Sequence, residues 1–173
     1  MAGGHVGWAR VIYTVFRPLC HQLPERSFFL FGPRAVYSLE ALSHAAGGLV
    51  PQRWVGNSAI GFKIAVCQRD VAIYAAMTLA GLAFYPLRRT LRPLPLRWFL
   101  ALLLPMAIDG FGQLFGLWVS TWWSRVLTGG LFGLAAVWLT YPYLEKGMRE
   151  VHIDAAAALH DLAPAQQEMH QHG

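Results

Sequence analysis

Three long apolar runs follow one another in this chain, and a water-soluble domain of 173 residues has little room to bury them. The first is Val71 to Leu87, with its helix expected to begin earlier, near Gly61. The second extends from Leu96 to Gly116 around LRWFLALLLPMAI, and the third from Arg125 to Tyr143 through VLTGGLFGLAAVWLTYPY. A helix crosses a bilayer with about 20 apolar residues. Buried helices of a large soluble protein are the competing explanation, and three such runs in so short a chain argue against it. Composition agrees: charged residues make up 13%, where soluble domains carry about 25%. The expected fold is an all-α integral membrane protein, with three transmembrane helices and N-terminal amphipathic or interfacial helices. Residues 1–66 then form an extracytoplasmic or interfacial region, 67–143 the transmembrane core, and 144–173 a disordered, His-containing cytoplasmic tail.

The net charge of +5 does not indicate nucleic acid. Such binding needs a basic face on a folded soluble module. Here Arg88, Arg89, Arg92 and Arg97 crowd between two apolar runs instead, as in a cytoplasmic membrane loop. With that loop inside, the first span runs inward, the second returns, and the third brings Lys146, Arg149 and the C-terminus to the cytoplasm. Arg53, Lys63, Arg69 and Arg125 stand on the outer side and oppose this orientation. In this multi-pass arrangement Cys67 and Asp70, Asp109 and Gln113, and Ser120, Thr121, Ser124 and Arg125 all collect at the outer ends of the spans.

Before the spans, Trp8, Ile12, Val15 and Leu19 recur at helical spacing with Arg10, Thr14 and Arg17 between them. Gly7 to Leu19 therefore reads as an amphipathic helix lying in the interface, ended by Pro18. Phe28 to Phe31 is an apolar run halted by Gly32-Pro33, and Ala35 to Leu49 is a second, weaker amphipathic stretch. No secretory signal pattern leads this region, which is unusual for one expected outside.

Four ordered blocks carry a resemblance. CHQLPERSFFLFG (Cys20 to Gly32), GFKIAVCQRDVAIY (Gly61 to Tyr74), LPMAIDGFGQLFG (Leu104 to Gly116), and STWWSR with LTGGLFG (Ser120 to Gly133) are similar to successive blocks of a family of bacterial and archaeal membrane proteins. That family is known only as a domain of unknown function. The resemblance covers roughly residues 6 to 143 and implies a polytopic helical membrane protein, with no activity attached. Many relatives carry a further span before the block matching Ala9 to Gln22, and its absence here implies a shortened start. In other relatives the position of Asp70 resembles a second cysteine. The tail after Tyr143 departs from the shared pattern.

Cys20, His21, Cys67 and Asp70 are the leading site residues. Thiolate, imidazole and carboxylate all bind zinc and other transition metals, and four such ligands fill a tetrahedral site. Residues three apart on a helix share a face, which lets Cys67 and Asp70 meet one ion. An aspartate replacing a cysteine in relatives keeps a metal ligand. The rival is a Cys20–Cys67 disulfide, favoured by an oxidising outer face; unpaired structural cysteines are the plain alternative.

Asp109 needs a partner near an apolar span. It reads either as a tie to Arg125 completed by Gln113, or as a general base. Arg69 is a substitute for Arg125 or a cation for an anionic group. Gly129, Gly130 and Gly133 suit close helix packing, and Trp54, Trp118, Trp122 and Trp123 suit membrane ends. His152, His160, His170 and His172 belong to the tail.

Two function classes stay open. One is a small membrane enzyme with a metal or thiol centre on the extracytoplasmic face, acting on a lipid or quinone-like molecule, with Asp109 or His21 handling protons. The other is a non-catalytic membrane subunit or assembly factor. The expected partners are the bilayer and a second membrane protein or another copy of the chain.

Overall fold

Proline 18 lacks a backbone N–H and ends the first helix, so α1 covers Val6–Val15 and gives way to turns. The computed structural model describes residues 6–18, 20–52 and 54–171. Leu19, Arg53 and His172 lie outside the described residues, as do the side chains of Arg10, His160 and His170. Trp8, Val11, Ile12 and Val15 of α1 are exposed, the condition of a helix that lies in an interface.

The N-terminal region is not purely helical. Strand β1 (Ser27–Leu30) forms from the Phe28–Phe31 run. Ser38 then caps α2 (Leu39–Ala46), its hydroxyl accepting from the Ala41 amide at 3.2 Å, and Gly47 closes it in the left-handed region at φ 74°. Strands β2 (Gly56–Asn57) and β3 (Gly61–Cys67) complete an antiparallel sheet of order β1-β3-β2. Ser27 pairs with Cys67 and Phe29 with Lys63, the register slipping between them. Phe29, Tyr37 and Leu42 form the buried centre, with Phe29 and Tyr37 edge to face at 5.2 Å. Trp54 packs on this core.

The sheet corrects the all-α expectation and the early helix start near Gly61. A short apolar run does not by itself distinguish strand from helix. Ile64 and Val66 favour the extended form, and β1 supplies a pairing edge from more than thirty residues away.

Helices α3 (Gln68–Leu87), α4 (Leu96–Leu114) and α5 (Trp122–Gln171) follow. Two helical segments among the described residues, Gln68–Leu87 and Trp122–Ala158, are long and apolar enough to cross a bilayer. Helix α4, which carries Arg97, Asp109 and Gln113, falls short of that measure. Helix α5 runs on through residue 144 to Gln171. Pairs Lys146–Glu150 at 3.9 Å and Glu145–Arg149 at 3.5 Å have the i,i+4 spacing that favours helix.

The α3–α5 seam is made by glycine. A Cβ at Gly129 would lie 2.7 Å from the Arg69 carbonyl oxygen, and one at Gly133 2.5 Å from that of Ile73. Small residues four apart let two backbones touch. Further along, Gly81 meets Tyr141, so contacts advance in step and the two helices run parallel. Helix α4 returns antiparallel: Asp109 reaches Ser124 near one end, and Phe99 lies 6.3 Å from Phe132 toward the other. Leu79, Leu82, Leu104, Ile108 and Leu134 remain exposed, which leaves the outside of the bundle apolar.

Gly133→Ala is expected to lower the unfolding midpoint in detergent, at the cost of about 1–3 kcal/mol typical of overpacking. Gly130→Ala, which meets nothing within 4 Å, should leave it unchanged; equal midpoints for the two variants would refute the close seam.

Candidate functional site

Strand β3 hands the chain to α3 at Cys67, whose backbone is extended (φ −78°, ψ 164°) and which occupies the helix cap. A cap side chain reaches the third helical residue, as in a capping box, and that residue is Asp70. The Cys67 thiol donates to Asp70 Oδ2 at 3.1 Å. The helix dipole favours a carboxylate in this first turn.

Cys20 arrives from the other side, in the connection between α1 and a one-turn 3-10 helix at Pro24–Arg26. Gln22 adopts a left-handed φ of 54° there, and the turn leaves Cys20 buried and His21 exposed. One donor atom from each of Cys20, Cys67 and Asp70 lies within 4.8 Å of the others. His21 stands outside this group, and its carbonyl accepts from Gln52 Nε2 at 2.7 Å. Both cysteines are free thiols.

The two thiols share charge unequally. When Cys20 ionises, the single Cys67 S–H turns from Asp70 to the Cys20 thiolate, and that bond draws Cys20 down to about 7, against the effect of burial, with the Gln22 amide at 3.4 Å assisting. Donating that bond, together with burial, pushes the Cys67 thiol up. The pair therefore releases one proton near neutrality and holds the second.

Lys63 is a functional neighbour that the sequence pattern marked only as an outer charge. It is 3% exposed, and its ammonium donates to the carbonyls of Gln22 at 2.5 Å and Gln52 at 2.9 Å. Burial lowers it to about 8, opposed by Glu25 and Cys20. Gln22 Nε2 also donates to the Tyr13 carbonyl at 2.8 Å. These bonds fasten the Cys20 turn over the sheet. A lysine inside the apolar stretch GFKIAVC was the available signal.

The adjoining polar network runs across all three long helices. Gln68 is wholly buried; its Nε2 donates to the Ser27 carbonyl at 3.2 Å and its Oε1 accepts from Arg125 Nη1 at 3.2 Å. Arg69 forms an ion pair with Asp109. Asp109 also accepts from Gln113 Nε2 at 3.0 Å, Ser120 Oγ at 2.9 Å and Ser124 Oγ at 3.4 Å. The partner of Asp109 is thus Arg69 rather than Arg125. The close α3–α5 seam places Arg125 against Gln68, whereas Arg69 reaches α4 beside Gly110. With a cation and three further donors, Asp109 joins α4 to α3 and α5.

Against this geometry stand the comparisons with known proteins. A family model described as Predicted membrane protein (DUF2085) matches residues 58–139. An uncharacterized protein of Methanocaldococcus jannaschii is 33% identical over 134 residues, covering 76% of this chain and 67% of that protein. No solved structure matches. The family match contains Cys67, Asp70 and the helix network, while Cys20 precedes it.

Arg69→Gln and Asp109→Asn should each cost about 3–5 kcal/mol, as when one partner of a buried pair is removed. The double variant should lose less than the sum in a detergent unfolding cycle, and additive losses would show no coupling. Alkylation of Cys20 in chelator-treated protein should follow the thiolate: slow in acid, rising through a midpoint at about 7. Cys67→Ala removes the stabilising hydrogen bond and should move that midpoint upward toward the usual thiol range.

Proposed function

This chain belongs to the DUF2085 family of predicted membrane proteins, and on that premise we propose that it holds a transition-metal ion of the zinc class at the outer end of its helices. The observation that carries this reading is the meeting of Cys20, Cys67 and Asp70 within 4.8 Å. Around a tetrahedral zinc with Zn–S bonds of about 2.3 Å, neighbouring sulfurs stand about 3.8 Å apart. A small inward shift closes the set. Thiolates with a carboxylate suit a borderline metal, and a Cys20 thiol drawn to about 7 yields its proton readily.

Three protein ligands leave a fourth position for water or substrate, the pattern of catalytic rather than closed structural sites. With Asp109 held by Arg69, exposed His21 is the group left to carry protons beside Cys20. In this reading α4 is the third span. Its 19 residues, at about 1.5 Å each, rise about 28 Å against a hydrocarbon core of about 30 Å. Its Leu100, Leu104, Ile108 and Phe111 face outward. The Arg88–Arg97 loop and the end of α5 are cytoplasmic, and α1 lies in the outer interface.

A second reading rests on the same proximity. Oxidation of the two free thiols to a Cys20–Cys67 disulfide, favoured outside the cytoplasm, would make the chain a non-catalytic membrane subunit.

Elemental analysis of tag-free protein in detergent separates the two. Near-stoichiometric metal is expected in the native chain and in His21→Ala, and none in the Cys20→Ala/Cys67→Ala variant. Absence of metal from the native chain, with a Cys20–Cys67 crosslink in non-reducing mass spectrometry, would replace the metal centre by the disulfide.

A further inference from the structure

A guanidinium taken out of water must find acceptors for its N–H groups or a counter-charge. Arg125 is 5% exposed, and its Nε has no hydrogen-bond partner among the described residues. Gln68 takes only Nη1. Arg69 repeats the pattern: Asp109 takes Nη2, and its buried Nε likewise has no partner among the described residues. The Arg69 side chain lies against Gly129, one helical turn beyond Arg125 on α5, where residues four apart share a face. The Arg69 side chain therefore starts at the seam that holds Arg125, and its guanidinium, bound to Asp109 beside Gly110, lies on the α4 side of the same helix heads.

Charge at this seam is out of balance. Asp109 is paired with Arg69, and Arg125, held by the neutral Gln68, has no carboxylate partner among the described residues. Asp70 accepts from Cys67. The heads of α3 and α5, which begin at Gln68 and Trp122, add the positive ends of two helix dipoles. An oxoanion answers all of these demands together, because guanidinium edges match its spaced oxygens.

We propose that the seam between the heads of α3 and α5 binds a phosphate-class oxoanion through Arg125 and Arg69. Two sources share this chemistry: a phospholipid headgroup, at the depth where the spans meet water, and free phosphate. The ligand is separate from the metal, so binding should survive in the Cys20→Ala/Cys67→Ala variant.

The test is the unfolding midpoint of the full chain in neutral detergent. Inorganic phosphate or phosphatidylglycerol micelles are titrated against chloride at matched ionic strength. One phosphate source should raise the midpoint, and the one that acts identifies the ligand. Arg125→Gln should abolish the rise, while Arg89→Gln in the opposite loop should keep it. Should Arg125→Gln fail to fold, Arg125→Lys retains the charge without the planar edge and should weaken the response about tenfold, the worth of a charge-assisted hydrogen bond. No rise with either source, or an undiminished response in whichever Arg125 variant folds, would overturn the proposal; water would then be what satisfies the two Nε groups.

Discussion

Polar groups buried away from water must be paired inside the protein. The chain meets this demand at one short segment, Cys67 to Asp70, where strand β3 becomes helix α3. Each residue there has a different partner. Cys67 bonds Asp70, Gln68 bonds both β1 and α5, and Arg69 bonds α4. The sheet and the three long helices are joined through these side chains. Removing one partner leaves another stranded, which makes this junction costly to alter.

The candidate site follows from that junction. Because Gln68 is held by β1 and α5 and Arg69 by α4, Cys67 is placed at a defined point on the helix head. The N-terminal module then brings Cys20 to it. Lys63 under the Gln22 turn, and Gln22 on α1, fix that approach by hydrogen bonds to main-chain carbonyls. Such a site is built on regular elements and buried bonds, and rigid support is what metal or thiol chemistry needs from a scaffold. His21, on the outside of the same turn, remains free of it.

Membership in a family of membrane proteins explains the outer surface as well. The apolar side chains left uncovered on α3, α4 and α5 have no place in a water-soluble monomer, where large exposed patches are rare. In a bilayer they are the solvated surface. The helices meet through Gly129 and Gly133 rather than through large side chains, as expected where lipid removes the hydrophobic drive for association and close packing must replace it. The parallel arrangement of α3 and α5 also gathers two helix heads, two arginines and the thiol pair at one end.

The sequence by itself determined the helices of the core, because long apolar runs carry their own signature, and it marked Cys20, His21, Cys67 and Asp70 as residues to bring together. Its charges also marked Arg69, Asp109, Gln113, Ser120 and Arg125 as one outer group. Only the tertiary structure decided that residues 61–67 are a strand, since the β1 edge that pairs with them is distant in sequence. Only it decided that Arg69 and not Arg125 meets Asp109, because glycine packing between α3 and α5 sets which side chain faces α4. The burial of Lys63 and Gln68 and the outward turn of His21 were likewise settled by packing. Periodicity reports which residues avoid water; which polar groups then meet depends on how close two backbones come, and that is a property of the assembled fold.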